Sequence, residues 1–400
     1  MLPAGKSIPL WPLRDQSDGT LMLGCGECLE RQHCGGLQVA AGGADAMDCM
    51  SMCRCENPDD CDVMCPKAPE RYYRRWAEVG GFDLTDVPVA KPLPFPVLPD
   101  EALLIEGKAN RAGRPSRALP YVAVPLSKTV TKRGQQTRPK SRRELESTFG
   151  LAPKFGWIAS GVEQDVKVER MWKLPSPKRT YRDLRDAGVI LATTPDYSTI
   201  ADVPRHDNLH AMKRIAWTWY EMMDAGLQAA LHINGRTDFD YIRWGEFARR
   251  QPALQAVAFE FLTGAEPKES GLRFVARIQR FVEVSGRKDL VLVLRGGAQW
   301  VDRLEPYFRQ VVLLDSGVYM KTVKRQRMEL DSDGNPRYRS NKTSSDAELN
   351  DLFLHNVRTR LVMKSRRSRP APAPVNPPSA PAPRTPRVRE VDPNQLELAV

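Results

Sequence analysis

The chain has 400 residues, of which 41% are hydrophobic and 27% charged, and its formal net charge is +11. This length exceeds one ordinary core and predicts about two to three domains, and the excess of Lys and Arg favours polyanionic partners such as nucleic acid. There is no apolar run of about 18 residues, and prolines and charges interrupt the N-terminus, so the sequence predicts a cytoplasmic protein without a membrane span or secretion signal.

Changes in composition divide the chain into segments. We assign residues 1–19 to a flexible N-terminus, 20–82 to a cysteine-rich module, 83–153 to a proline-rich connector and basic segment, 154–330 to a βα domain, 331–362 to a loop and C-terminal helix, and 363–400 to a tail. The tail is rich in Pro and Arg, which predicts disorder, and it is a candidate site for a protein partner.

All eight cysteines lie between residues 25 and 65, spaced C-x2-C-x5-C-x14-C-x3-C-x1-C-x5-C-x3-C. In a reducing compartment such a cluster favours metal binding over disulfides. Two sets of four thiolates suit two Zn²⁺ ions, and the x5 and x1 gaps favour zinc. The alternative is one or two iron-sulfur clusters, because the final Cys-x3-Cys-Pro matches the end of a ferredoxin motif. The predicted metal ligands are Cys25, Cys28, Cys34, Cys49, Cys53, Cys55, Cys61 and Cys65.

Basic and aromatic residues alternate just after the cysteines, and a second basic run follows at 128–143. Aromatic rings stack on bases while guanidinium groups hold phosphates, so these segments are candidate nucleic-acid contacts. The alternatives are a helix that packs its aromatic side chains on the module, and a solvated loop. The candidate nucleic-acid-binding residues are Arg71, Tyr72, Tyr73, Arg74, Arg75, Trp76, Lys132, Arg133, Arg142 and Arg143.

Short apolar runs alternate with helix-length amphipathic stretches from residue 154 to 330. The clearest runs are "GVILATTPD", "LQAALHING", "QAVAFEFLTG", "DLVLVLRGG" and "QVVLLDSG". Continuous apolar strands are typical of a parallel sheet that is covered on both faces. With "FGWIAS" and "DVKVERMWKL" as further strand candidates, we predict an α/β fold with a TIM-barrel-like domain, either incomplete or eight-stranded. An open sheet is the alternative.

Each of the five clearest runs ends in polar side chains. Function collects at the carboxyl ends of parallel strands, where loops sit on a rigid scaffold, so the sequence predicts a polar cleft there. The candidate catalytic residues are Asp196, Glu260, Arg295 and Asp315. The other candidate cleft residues are Tyr197, Ser198, Asp202, His232, Asn234, Arg236, Asp238 and Ser316.

Residues 185–265 resemble an uncharacterised bacterial and phage family, the domain of unknown function numbered 4417. The resemblance is carried by "GVILATTPDYSTIADVP" and "GLQAALHING", with Thr-Thr before Pro195, Val203, and His-Ile-Asn-Gly as departures. It implies a bacterial or mobile-element origin and carries no reaction. The "DSG" at 315–317 resembles part of a motif of the tRNA-guanine transglycosylases, in which the Asp serves in base recognition and catalysis.

Three functions are compatible with these features. The first is a nucleic-acid-associated metalloprotein with a zinc module and an α/β domain. The second is a base- or nucleoside-modifying enzyme of transglycosylase type that uses a strand-end Asp. The third is an iron-sulfur redox protein. The chain has no P-loop, G-x-G-x-x-G, H-E-x-x-H or G-x-S-x-G motif, and whether it is an enzyme stays open at this point.

Overall fold

A computed structural model describes residues 75–365 except 112, 114–115, 118, 131–138, 200–204 and 263–267, together with the backbone of a short antiparallel strand pair, Thr20–Leu21 and Gln38–Val39. The predicted metal and tail segments lie outside the described residues. So do several predicted site residues, namely the eight cysteines, Arg71, Tyr72, Tyr73, Arg74, Lys132, Arg133 and Asp202.

Eight parallel strands close into a barrel in chain order, with the last strand paired to both the seventh and the first. The strands are β1 (Glu101–Leu104), β2 (Tyr121–Pro125), β3 (Gly156–Ser160), β4 (Val189–Thr193), β5 (Ala229–His232), β6 (Ala256–Glu260), β7 (Val291–Arg295) and β8 (Gln310–Asp315). The TIM-barrel-like prediction is confirmed, and the barrel is closed, not incomplete.

Helices connect and surround these strands. They are α1 (Arg142–Phe149), α2 (Asp165–Trp172), α3 (Pro177–Asp186), α4 (Arg205–Asp224), α5 (Asp238–Arg250), α6 (Lys268–Ser285) and α7 (Val301–Leu304), with short 3-10 segments at Leu126–Thr129, Ala298–Trp300 and Glu305–Tyr307. After the barrel come α8 (Gly317–Val323), an antiparallel hairpin of β9 (Gln326–Leu330) and β10 (Pro336–Ser340), and α9 (Asp346–Ser365).

The barrel strands bury both of their faces, which explains their continuous apolar sequences. In β7, Val291 and Val293 belong to the cluster inside the barrel, whereas Leu292 and Leu294 join the core between barrel and helices. Successive side chains of a strand point to opposite faces, so one strand supplies both layers. This alternation also decides which strand-end side chains can enter the barrel mouth.

The proline-rich connector crosses the outside of the barrel and reaches its amino end. Residues 88–99 form neither helix nor strand, as the prolines predict. The side chain of Gln251 accepts a hydrogen bond from the Ala90 backbone over 3.1 Å and donates to the Pro88 carbonyl over 2.9 Å. Phe95 and Leu98 then pack against the interior cluster. These contacts leave the carboxyl ends of the strands as the open face.

The structure corrects three predictions about local elements. Two barrel strands, β1 and β2, precede residue 154, so the barrel begins within the segment assigned to the connector. "DVKVERMWKL" contains a helix, not a strand, because Val168 and Met171 are buried on one face while Val166 is 67% exposed. The segment after residue 331, predicted to be a loop, contains β10. Within the described residues, no helix has the length and apolar character needed to span a membrane.

Candidate active site at the barrel mouth

A polar cleft opens at the carboxyl ends of β4, β5 and β6. It encloses about 470 Å³ including its solvent-open mouth. It is lined by Asp196, Ser198, Thr199, His232, Asn234, Arg236, Phe259, Glu260 and Phe274. The predicted cleft therefore exists, and it gathers six of the residues singled out in the sequence: Asp196, Ser198, His232, Asn234, Arg236 and Glu260.

Strand alternation places two of these side chains. Ala230 in β5 and Ala258 in β6 point into the barrel, so His232 and Glu260, each two residues further along, have the same inward phase. They stand at the point where the closed interior gives way to the cleft. The small alanines below them contribute little volume, and the polar side chains above them face the mouth.

His232 is held in one orientation and one tautomer. Its Nδ1 lies 2.5 Å from the carbonyl oxygen of Thr194, and its backbone N–H donates to the Thr194 hydroxyl over 2.9 Å. A carbonyl can only accept, so Nδ1 carries the proton and Nε2 keeps its lone pair. Burial lowers the pKa of His232, and the charge of Asp196 opposes this shift. The ring is therefore neutral at pH 7 and suited to accept a proton.

Asp196 is joined to the neighbouring strand end through an amide. The Nδ2 of Asn234 donates to Oδ1 of Asp196 over 2.8 Å, and the Thr199 hydroxyl donates to Oδ1 of Asn234 over 2.9 Å. The Asp196 backbone N–H also donates to the Gly161 carbonyl over 3.2 Å. A Cβ at Gly161 would lie 2.0 Å from the Thr194 carbonyl oxygen, so only glycine permits this close approach of the two loops.

Arg236 forms the far wall of the cleft and is fixed mainly through backbone groups. Its Nε donates to the carbonyl of Thr199, and its own N–H donates to Asp240 over 2.7 Å. The carbonyl of Arg236 accepts from Arg277 over 2.5 Å. Arg277 is in turn paired with Asp238 at 3.1 Å. Arg236 therefore sits on a rigid support, and its guanidinium faces the cleft.

Arg295 lies at the same end of the barrel but is committed to internal contacts. It forms an ion pair with Glu106 at 3.0 Å and donates to the carbonyl of Val162. Its charge contributes to lowering the pKa of His232. Glu260 accepts a hydrogen bond from the Leu262 backbone over 2.6 Å. We therefore assign Arg295 an electrostatic and supporting role behind the cleft.

Asp315 does not belong to the cleft. Val312 and Leu314 point into the barrel, so Asp315 has the opposite, outward phase. Its carboxylate accepts from the Gly317 N–H over 2.8 Å and pairs with Arg360 of α9 at 3.2 Å. The prediction that Asp315 joins Asp196 is wrong, because one residue of strand register separates the two faces.

Three further predicted cleft residues do not line it. Tyr197 is fully buried, and the guanidinium of Arg214 lies 4.2 Å from the centre of its ring. Asp238 begins α5 and pairs with Arg277 at 3.1 Å, away from the mouth. Ser316 precedes α8 at the end of β8. Each follows a strand in sequence, but the local chain direction turns its side chain elsewhere.

Three lining residues were not predicted. Thr199 lies just past the predicted "DYS" stretch, Phe259 is an apolar strand residue, and Phe274 comes from the middle of α6. The two phenylalanines pack together, with ring centroids 5.4 Å apart. An apolar residue gives no local signal that it faces a ligand, so pattern reasoning assigns both to the core.

The described members of the candidate nucleic-acid surface have mixed environments. Arg75 pairs with Asp207 at 3.3 Å, Arg142 pairs with Glu146 at 3.0 Å, and Trp76 is 41% exposed. Arg143 is exposed. In the part of the chain that the structure describes, there is no group of three or more His, Cys, Asp or Glu side chains arranged to hold a metal ion.

No protein-family model matches the chain, and no curated protein matches it. Among solved structures, the chain is similar to one described as a "putative lyase/mutase" from Burkholderia cenocepacia J2315, at 14% identity and a TM-score of 0.30. The match covers 64% of this chain and 88% of that chain. Identity and TM-score at this level support no inference from that protein to this one, and the α/β barrel assignment stands on the strand order described above.

Proposed function

We propose that the chain is an enzyme whose active site is the cleft at the carboxyl ends of β4, β5 and β6, and that it works by general acid–base catalysis. His232 is the base, through Nε2. Asp196 is the carboxylate that orients the reacting group or stabilises positive charge formed on His232. Enzymes built on parallel βα barrels place their chemistry at this end.

The observation that carries the proposal is the arrangement of His232 and Asp196 in one cleft. A buried imidazole with its Nδ1 fixed on a carbonyl has one free nitrogen, and a nearby carboxylate favours the protonated ring that forms during proton transfer. Such a base accounts for about 10²- to 10⁴-fold of a rate enhancement. A purely structural barrel has no need for this pair at its open end.

Nucleic acid is the second candidate partner, favoured by the net charge of +11 and by the basic and aromatic residues 71–76. In that case the eight cysteines form a zinc module that docks the chain, and the cleft acts on a base or nucleoside. Asp196 is the aspartate available for a transglycosylase-type reaction, because Asp315 faces α9. The iron-sulfur alternative for the cysteines keeps its standing as a hypothesis.

The test is a turnover screen with purified full-length protein. The wild type is incubated with a pool of small metabolites and with tRNA and single-stranded DNA, and consumption is followed by mass spectrometry. We expect the wild type to consume at least one compound, and His232→Gln and Asp196→Asn to consume it at least about 100-fold more slowly. The exposed Asp302→Asn, on α7, is the matched control. Equal turnover by the wild type and the two cleft variants would refute the proposal.

A further inference from the structure

Arg236 differs from the other buried arginines near the barrel mouth. Arg277 pairs with Asp238 at 3.1 Å, Arg295 with Glu106 at 3.0 Å, and Arg214 with Glu169 at 2.6 Å. Within the described residues, Arg236 forms no such ion pair. Its Nε is used on the carbonyl of Thr199, and its two terminal nitrogens are left for another acceptor. The cleft therefore contains one prepared cation that lacks a carboxylate of its own.

Such an arrangement is costly unless something completes it. Removing a guanidinium from water without a counter-charge carries a penalty, and the burial of Arg236 lowers its pKa. The contacts from Thr199, Asp240 and Arg277 fix the side chain and backbone before any ligand arrives. A fixed guanidinium fork matches the two oxygens of a carboxylate or phosphate.

We infer that Arg236 binds an anionic group of the substrate, a carboxylate or a phosphate, and that the substrate is a small organic anion. This inference rests on the proposed function, since it assigns the cleft a substrate class. Phe259 and Phe274 supply the apolar wall for the carbon skeleton. Asp196 and Glu260 repel a second anionic group, so the charged end lies at Arg236 and the reacting end at His232.

The inference is tested by titration calorimetry with matched probes on the full-length chain. The probes are benzoate, phenyl phosphate, inorganic phosphate and neutral benzamide, each to 10 mM. We expect benzoate or phenyl phosphate to bind at least about tenfold tighter than benzamide, a difference of about 1.4 kcal/mol. The preferred anion distinguishes a carboxylate from a phosphate ester, and binding of inorganic phosphate alone would show that the site reads the phosphate without the ring.

Two variants and a control assign the effect to Arg236. Arg236→Gln should weaken the preferred anion at least about tenfold, and Arg236→Lys should keep part of the affinity for phosphate but lose the two-point contact with carboxylate. Arg179→Gln, an exposed arginine of α3, should bind like the wild type. A thermal melt of each variant confirms that it is folded.

Two results overturn the inference. One is that the anions bind no better than benzamide up to 10 mM, and the other is that Arg236→Gln binds them as tightly as the wild type. Failure here is separable from failure of the proposed function. Turnover that depends on His232 but not on Arg236 removes the anion site and keeps the enzyme. Anion binding through Arg236 with turnover unaffected by His232→Gln keeps the site and removes the proposed base.

Discussion

The side-chain amide of Asn234 donates to Oδ1 of Asp196 over 2.8 Å and thereby joins the ends of two adjacent barrel strands. The orientation of the amide is set by the Thr199 hydroxyl, which donates to the Asn234 oxygen over 2.9 Å. Asp196 is therefore held by a residue 38 positions later in the chain. This link between β4 and β5 is the structural basis for a shared site.

Removing that link should impair turnover without unfolding the protein. In Asn234→Ala, Asp196 loses a hydrogen bond to a charged group worth about 1.5–3 kcal/mol. We expect kcat to fall about 10- to 100-fold with KM nearly unchanged, because Asn234 positions the carboxylate and is not proposed to bind substrate. Steady-state kinetics of the variant check this. An unchanged kcat would show that Asp196 is positioned without the amide.

The activity should fall on the acid side as His232 becomes protonated. Burial holds the pKa of His232 below its usual 6.5, and a general base works only in its neutral form. We therefore expect the pH profile of kcat/KM to stay flat down to pH 6.5 and to fall at lower pH. His232→Gln should lose this acid limb together with most of the activity. An acid limb that survives in the variant would assign the titration to another group.

Asp196 and Asp315 should respond differently to the same substitution. Asp196→Asn removes a carboxylate from the cleft, so we expect at least about a 100-fold loss of turnover with unchanged melting. Asp315→Asn breaks the contact with Arg360, so we expect lower stability by about 1 kcal/mol with turnover retained at permissive temperature. Melting curves and kinetics on both variants separate the cases. The reverse pattern would restore the Asp315 hypothesis.

Asp238 should make the unfolding free energy depend on pH. Burial raises its pKa from 3.8 to about 6, with partial opposition from Arg277. The carboxyl is neutral in both states below the unfolded value, and its ionisation penalises the folded state as pH rises through about 6. The wild type should therefore lose up to about 3 kcal/mol of stability relative to Asp238→Asn between pH 4 and pH 7.

Urea unfolding of the wild type and Asp238→Asn at pH 4 and pH 7 measures this difference directly. Groups common to both proteins cancel in the subtraction. Asp238→Asn also leaves Arg277 without its carboxylate, which lowers stability at both pH values. Only the change of the difference with pH bears on the Asp238 pKa. A constant difference would contradict the raised value.

The cysteine prediction is checked by metal analysis of protein purified without oxygen. We expect two zinc ions per chain and no visible absorption, because the cysteine spacing favours zinc knuckles. Cys25→Ser should lower the zinc content, and Ser51→Ala in the same segment should not. A brown protein with iron and acid-labile sulfide would favour the iron-sulfur alternative, and normal zinc in Cys25→Ser would remove that residue from the ligand set.

Local sequence was sufficient for the barrel strands with long apolar runs and for the polar residues that follow them. β4 to β8 are continuous hydrophobic segments, and continuity is what burial on both faces requires. β1 and β2 are short and flanked by prolines or charges, so they read as connector. Their identity as strands depends on pairing with β8 and β3, which are distant in sequence.

The membership of the cleft was decided by tertiary structure. Sequence alone placed Asp196, His232 and Asp315 at strand ends, since a polar residue after an apolar run is a local feature. Strand phase and barrel closure then sent His232 into the mouth and Asp315 to the outside, where Arg360 of a later helix meets it. The apolar wall of Phe259 and Phe274 is also a tertiary product, because only the packing of α6 on β6 brings these two rings together at the cleft.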